Sequence, residues 1–135
     1  MKTFTLDIYT PFGHYLSDKV EFLKVSSEDY TLGILPGHAP LISTVTICEI
    51  EITKNGEKLN YATSGGVINI KDDKVTLLLN TIESPDEIDL SRAEAAKQRA
   101  ENRLSNADLE PMMVTRSKLA LQRAINRINV KKSIK

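Results

Sequence analysis

Residues 32–41 read Leu-Gly-Ile-Leu-Pro-Gly-His-Ala-Pro-Leu and contain two glycines and two prolines within ten positions. These residues exclude a helix and a central strand, because proline has no backbone N–H to donate and glycine weakens a strand. The remaining side chains are mostly apolar, whereas an ordinary loop is solvated. A rigid, apolar loop of this kind closes one end of its own β-sandwich or presents a surface to a partner.

Short strands and turns surround this loop over the first 83 residues. Apolar and polar residues alternate at residues 4–8 and 49–52, which is the period of a half-buried strand. Asn55-Gly56 predicts a tight hairpin because both residues tolerate a positive φ, and residues 71–74 predict a second turn. Gly65-Gly66 indicates a bulge or a close backbone contact, since no Lys-Ser/Thr pair of a phosphate-binding loop follows. The pattern predicts an antiparallel β-sandwich.

The pattern becomes helical after residues 83–87. Ser84 and Glu87 predict a capping box with Pro85 at the first helical position, and Asp89 is an alternative cap. Apolar residues then recur at spacings of three and four in two segments separated by residues 105–111. They are Ala93, Ala96, Ala100 and Leu104 in the first segment, and Leu121, Ala124, Ile125 and Ile128 in the second. We therefore predict an α+β fold, with a β-sandwich over residues 1–84 and an antiparallel αα-hairpin over residues 85–135.

This hairpin is expected to have low stability. Alanine-rich faces bury little apolar surface, and isolated helices of this length are marginal in water. Such an element can open and repack elsewhere, which favours a regulatory role for residues 85–135.

The charges divide at the same boundary. Residues 1–85 carry 7 basic and 11 acidic side chains, a net charge of −4, whereas residues 86–135 carry 11 and 7, a net charge of +4. An acidic first part and a basic second part suggest two units with different partners.

Several function classes are disfavoured by the residues present. The single Cys48 excludes an internal disulfide and is expected to be a buried thiol. The sequence has no apolar run of about 20 residues, so any membrane contact is expected to go through a partner. It contains no His/Cys metal cluster and no Gly-x-Ser-x-Gly elbow, and we expect His38 to hydrogen-bond within its loop rather than act as a base. We therefore predict no catalytic site and no metal site.

Six arginines form the sharpest pattern in the helical part. They repeat with the spacing i, i+7, i+11, which keeps each set on one helical face, and they are Arg92, Arg99 and Arg103, then Arg116, Arg123 and Arg127. No acidic residue follows Glu110, so the second set needs anions from elsewhere. One interpretation is a solvated basic face. The other is that guanidinium groups from two facing helices bind phosphate oxygens, while Glu83 and Asp89 hold ribose or base donors or orient the arginines. A nucleic-acid partner is disfavoured, because the first part is acidic and aromatic residues are sparse.

Three segments together resemble the epsilon subunit of F-type ATP synthases, over nearly the whole chain. They are residues 33–41, residues 64–67 with residues 74–76, and the set Ala93, Ala96, Arg99, Ala100 and Leu104. The resemblance implies a sandwich of about ten strands followed by a helical hairpin, in a non-catalytic subunit of the central stalk. It implies contacts with the gamma subunit and the c-subunit ring, and a place at the cytoplasmic face of the cell membrane, with membrane contact only through the complex. It also implies that the helices extend toward acidic segments of the catalytic alpha/beta head and inhibit ATP hydrolysis.

The resemblance also implies a regulatory ligand. Residues 88–93, Ile-Asp-Leu-Ser-Arg-Ala, are similar to the Ile-Asp-x-x-Arg-Ala motif of family members whose folded hairpin binds ATP. The implied ATP-binding residues are Glu83, Ile88, Asp89, Arg92, Arg99, Arg123 and Arg127. ATP is the implied regulatory ligand, and no cofactor is implied. The implied partner interface is Ile34, Leu35, Pro36, Gly37 and His38. The chain departs from the family at Tyr30-Thr31, where Gly-Glu is usual, so an acid that contacts the c ring is missing there, and Glu28 and Asp29 are candidate substitutes.

An alternative hypothesis needs no stalk. In it the chain is a standalone β-sandwich adaptor whose basic helices bind an acidic protein or nucleic acid. That hypothesis predicts binding that falls steeply with salt and does not depend on nucleotide.

Overall fold

The computed structural model describes residues 2–133, and the chain divides into two compact units between Glu83 and Ser84. The first unit contains ten strands: β1 (Phe4–Thr10), β2 (Gly13–Val20), β3 (Phe22–Ser26), β4 (Thr31–Ile34), β5 (Leu41–Val45), β6 (Cys48–Lys54), β7 (Glu57–Thr63), β8 (Gly66–Lys71), β9 (Lys74–Leu79) and β10 (Ile82–Glu83). The second unit contains a 3₁₀ turn (Pro85–Glu87) and two helices, α1 (Leu90–Leu104) and α2 (Pro111–Lys132).

The ten strands form two five-stranded sheets, which confirms the predicted sandwich. The first sheet has the order β2-β1-β9-β8-β5 and the second the order β10-β7-β6-β3-β4. Neighbouring strands run antiparallel except β1 and β9, which are parallel, with Leu6 opposite Val75. Hairpins impose antiparallel pairing on strands close in sequence, whereas β1 and β9 are far apart and free of that constraint.

The inner faces of the two sheets supply the core of the sandwich. Its most buried side chains, each at most 1% exposed, include Leu6, Ile8, Leu23, Ile50, Ile52, Ile68 and Leu77. The rings of Tyr15 on β2 and Tyr61 on β7 meet edge to face across the two sheets, with centroids 6.2 Å apart. Cys48 lies in this core as expected, and burial raises the pKa of its thiol, so it is poorly nucleophilic.

The predicted turns and the close backbone contact are both present. Asn55 and Gly56 have φ of 52° and 79°, and Asp72 and Asp73 have φ of 51° and 58°, as two-residue hairpin turns require. A Cβ atom at Gly66 would overlap the carbonyl oxygen of Leu78, so only glycine fits where β8 meets β9.

Both predicted caps of the helical unit are used, one after the other. Ser84 N donates to Glu87 Oε1 at 2.8 Å and opens the 3₁₀ turn. Arg92 N donates to Asp89 Oδ1 at 3.1 Å and opens α1.

The two helices pack against each other as the predicted antiparallel hairpin. Ala93 and Ala100 on α1 and Ala124 on α2 are buried, as the pattern predicted. The placement of Ile125 on the apolar side was wrong, because it lies about 100° around the helix from Ala124 and is 38% exposed. Ser117 and Val130 are buried instead. Within residues 2–133 neither helix combines the length and the apolar character needed to cross a membrane.

Candidate functional site

The loop of residues 35–40 crosses from one sheet of the sandwich to the other. It leaves β4, at the edge of the second sheet, and enters β5, at the edge of the first. His38 N donates to Leu35 O at 3.2 Å, and Gly37 adopts a φ of 82° that suits glycine. Gly37 N also donates to Asp73 Oδ1 at 2.6 Å, so the loop is tied to the turn between β8 and β9.

The predicted interface residues divide into an exposed set and a buried one. Leu35 is 59% exposed, Gly37 is exposed, and Pro36 and His38 are half-buried. Ile34 is 1% exposed and belongs to the core, so its side chain lies outside any interface and anchors the loop instead. His38 Nδ1 donates to Ala39 O at 2.7 Å, which confirms the hydrogen bond expected within the loop.

An apolar row on the outer face of the first sheet was not anticipated from the sequence. Tyr9 on β1 lies opposite Leu78 on β9, and Leu78 lies opposite Val67 on β8. We call these three residues the outer row; they are 39%, 53% and 39% exposed, and Ile42 on the neighbouring β5 is 72% exposed. The sequence did contain a signal for this surface, because the apolar run at residues 77–79 places apolar side chains on both faces of β9. Adjacent exposed apolar side chains on a sheet are typical of a surface that packs against a partner.

A charged cluster borders the outer row. The carboxylate of Asp7, a residue only 7% exposed, lies 3.5 Å from His14 Nε2 and 3.7 Å from Lys74 Nζ. A hydrogen bond from Ser17, together with His14 and Lys74, lowers the pKa of Asp7 against the opposing effect of burial. The ring centroids of His14 and Tyr9 are 4.8 Å apart, so the cluster contacts the outer row directly.

The predicted ATP-binding residues of the helical unit occupy several environments. Arg92 and Arg99 on α1 are exposed, and Arg123 and Arg127 on α2 are half-buried. Ile88 is 3% exposed and packs in the interior, so its side chain supports the segment rather than reaching solvent. Within residues 2–133, Arg92, Arg99 and Arg123 form no ion pair. These three guanidinium groups retain their capacity to bind an anion.

The antiparallel packing gathers part of this set at one end of the hairpin. Lys131 Nζ donates to Pro85 O at 2.8 Å, so the end of α2 lies beside the residues that precede α1. Arg92, Arg123 and Arg127 therefore share the same half of the hairpin, whereas Arg99 lies about 10 Å farther along α1 at 1.5 Å per residue. Glu83 belongs to the other unit, where it pairs with Ala62 in the second sheet.

The chain matches known families over both units. Residues 3–85 match the family described as ATP synthase, Delta/Epsilon chain, beta-sandwich domain, and residues 86–132 match ATP synthase, Delta/Epsilon chain, long alpha-helix domain. A protein named ATP synthase epsilon chain from Desulfitobacterium hafniense (strain Y51) is 46% identical over 127 residues, which cover 94% of this chain and 95% of the relative. A protein of the same name from Bacillus licheniformis is 41% identical over 130 residues, covering 96% and 98%.

Two solved structures share the fold. A chain from the Euglena gracilis mitochondrial ATP synthase, OSCP/F1/c-ring, superposes with a TM-score of 0.82 at 18% identity, covering 92% of this chain and 78% of that one. A chain from the Tetrahymena thermophila mitochondrial ATP synthase, central stalk/c-ring, has a TM-score of 0.65 at 9% identity, covering 94% and 95%.

Proposed function

This chain belongs to the ATP synthase delta/epsilon family, and on that premise we propose that its helical unit binds ATP and restrains ATP hydrolysis. The chain is an epsilon subunit of the central stalk of an F-type ATP synthase and a non-catalytic component of that complex. We also propose that the subunit couples rotation to ATP synthesis at the cytoplasmic face of the membrane, which it contacts only through the complex.

One observation carries the ATP-binding proposal. Arg92, Arg123 and Arg127 lie in the half of the hairpin where Asp89 caps α1. Guanidinium groups from two helices can hold phosphate oxygens in bidentate fashion. Arg99 completes the proposed set within the helical unit, and Ile88 supports it from the interior.

We propose that ATP binding at these arginines controls whether the hairpin stays folded. ATP that binds only the folded hairpin stabilises it by RT ln(1 + [ATP]/Kd), so a high ATP concentration keeps the helices folded. When ATP falls, the hairpin opens and the basic residues of α2 meet acidic segments of the catalytic alpha/beta head. Hydrolysis then slows because the extended helices obstruct the catalytic subunits.

The sandwich supplies the contacts with the rotor. We assign the outer row and Ile42 to the gamma subunit, because the outer row consists of adjacent apolar side chains and Ile42 is exposed on the same sheet. We assign the exposed residues of the loop, Leu35 and Gly37, to a second rotor contact, with the c-subunit ring as its partner. The standalone adaptor hypothesis is set aside, because both units match the same subunit family.

Calorimetric titration of the full chain with ATP tests the proposal, with ADP and GTP as controls. We expect saturable binding of ATP in preference to both controls. If no heat of binding appears up to several millimolar ATP, the ATP-binding proposal fails, while membership in the stalk stands.

A further inference from the structure

A long-range hydrogen bond links the two ends of the helical unit. Lys131, in the last turn of α2, donates from Nζ to the carbonyl oxygen of Pro85 at 2.8 Å, across 46 positions of sequence. Lys131 is half-buried, so its aliphatic stem is partly covered while its ammonium group reaches the carbonyl.

The carbonyl of Pro85 is held in position by its own segment. Ser84 N donates to Glu87 Oε1 at 2.8 Å, Glu87 N donates to Ser84 O at 3.0 Å, and Ile88 N donates to Pro85 O at 3.3 Å. The proline ring also fixes its own φ. An acceptor ordered in advance loses little entropy when Lys131 binds it.

The packed face of α2 also contains a buried polar group that opposes packing. The face of α2 that carries Lys131 also carries Ala124 and Ser117, because residues seven apart lie within about 20° of each other around a helix. Ala124 and Ser117 are 1% and 2% exposed, and within residues 2–133 the buried Ser117 Oγ has no hydrogen-bond partner. Burying a hydroxyl without a partner destabilises the packed state.

We propose that the Lys131–Pro85 hydrogen bond is a latch that holds the end of α2 beside the start of the helical unit and sets how readily the hairpin opens. The latch favours the packed state, whereas the unsatisfied hydroxyl of Ser117 opposes it. The regulatory role of the latch rests on the proposed function. The latch itself is a property of the isolated chain.

The latch also bears on the ligand. Arg127 precedes Lys131 by one helical turn and so lies on the same side of α2. Holding Lys131 at Pro85 therefore keeps Arg127 near residues 88–92, and ATP that uses Arg127 favours the latched state. Loss of the latch should then lower the ATP affinity of the chain.

Hydrogen exchange of the full chain without nucleotide tests the latch by itself. Lys131→Met keeps the aliphatic stem and removes the donor, and Lys132→Met is the matched control because Lys132 is exposed and carries the same charge in the same turn. We expect amides of the last turn of α2, including Ser133 N, to exchange about 10-fold faster in K131M than in K132M, the effect of losing one charge-assisted hydrogen bond. Ser117→Ala should slow exchange at the same amides. Equal rates in K131M and K132M would overturn the latch.

ATP titration of the same variants separates the two proposals. K131M should bind ATP several-fold more weakly than K132M if the latch governs the ligand site. An altered exchange rate in K131M, with no ATP binding by the wild-type chain, would uphold the latch and refute ATP sensing. Unchanged exchange with normal ATP binding would refute the latch and uphold ATP sensing.

Discussion

Gly37 N donates a 2.6 Å hydrogen bond to Asp73 Oδ1, although the two residues are 36 positions apart. The bond ties the apolar loop of residues 35–40 to the turn between β8 and β9. A loop held in this way presents Leu35 to solvent at low entropic cost, because the backbone beneath it is already ordered.

Removing the acceptor at Asp73 should loosen this loop. Asp73 has a positive φ, so Asp73→Gly removes the carboxylate without straining the turn. Asp72→Gly is the matched control, because Asp72 also has a positive φ and lies beside Asp73 in the same turn. We expect the Gly37 amide to exchange about 5- to 10-fold faster in D73G than in D72G, as one exposed hydrogen bond is worth about 1 kcal/mol. Equal exchange in the two variants would show that the loop is held by other contacts.

Introducing a charge into the outer row should weaken assembly with the gamma subunit. Leu78 is 53% exposed, so Leu78→Lys leaves the isolated sandwich folded but forces a cation into an apolar contact. We expect an affinity for the gamma subunit at least about 10-fold lower, measured by titration or co-purification. Thr31→Lys, at an exposed position on the edge of the second sheet, should bind normally. Normal binding by L78K would remove the outer row from the interface.

Truncating the arginines near Asp89 should weaken ATP binding selectively. Arg92→Ala and Arg123→Ala each remove one charge-assisted contact of about 1.5–3 kcal/mol, which corresponds to about 10- to 100-fold in affinity. Arg103→Ala and Arg116→Ala remove the same charge at the other end of the hairpin and serve as controls. Calorimetric titration with ATP measures all four variants. If the four lose affinity equally, binding reflects net charge rather than a site.

Acidification should weaken the sandwich through Asp7. The pKa of Asp7 lies below the ordinary value of 3.8 in the folded state, because the hydrogen bond from Ser17 and the neighbouring His14 and Lys74 favour the carboxylate. As the pH falls, Asp7 is therefore protonated in the unfolded chain before it is protonated in the folded protein. Its contribution to the free energy of unfolding is complete above about pH 4 and is lost as the pH falls through the lowered pKa. Denaturant unfolding at pH 7 and at pH 2–3 measures this effect. We expect Asp7→Asn to have a lower free energy of unfolding than the wild type at pH 7, and the difference between the two proteins to be smaller at pH 2–3. Exposed Asp29→Asn should show no such pH-dependent difference.

Much of the helical unit could be predicted because its signals are local. Asp89 and Ser84 act within three residues of themselves, and the spacing of Ala93, Ala100 and Ala124 marks the buried faces. Ile125 was misplaced because apolar character alone does not define which side of α2 meets α1. The predicted ATP-binding set stays a prediction, since helical spacing places the arginines but does not identify what they bind.

Local chemistry in the sequence determined the turns at Asn55 and Asp72, the strand periods, the caps and the division into two units, because each depends on residues a few positions apart. Only the tertiary structure decided the parallel pairing of β1 with β9, the outer row, and the bonds from Gly37 to Asp73 and from Lys131 to Pro85. These features join residues far apart in the chain, where no local preference of the backbone selects one partner over another. Their formation depends on the packing of the whole core, which orders the strands before distant side chains can meet.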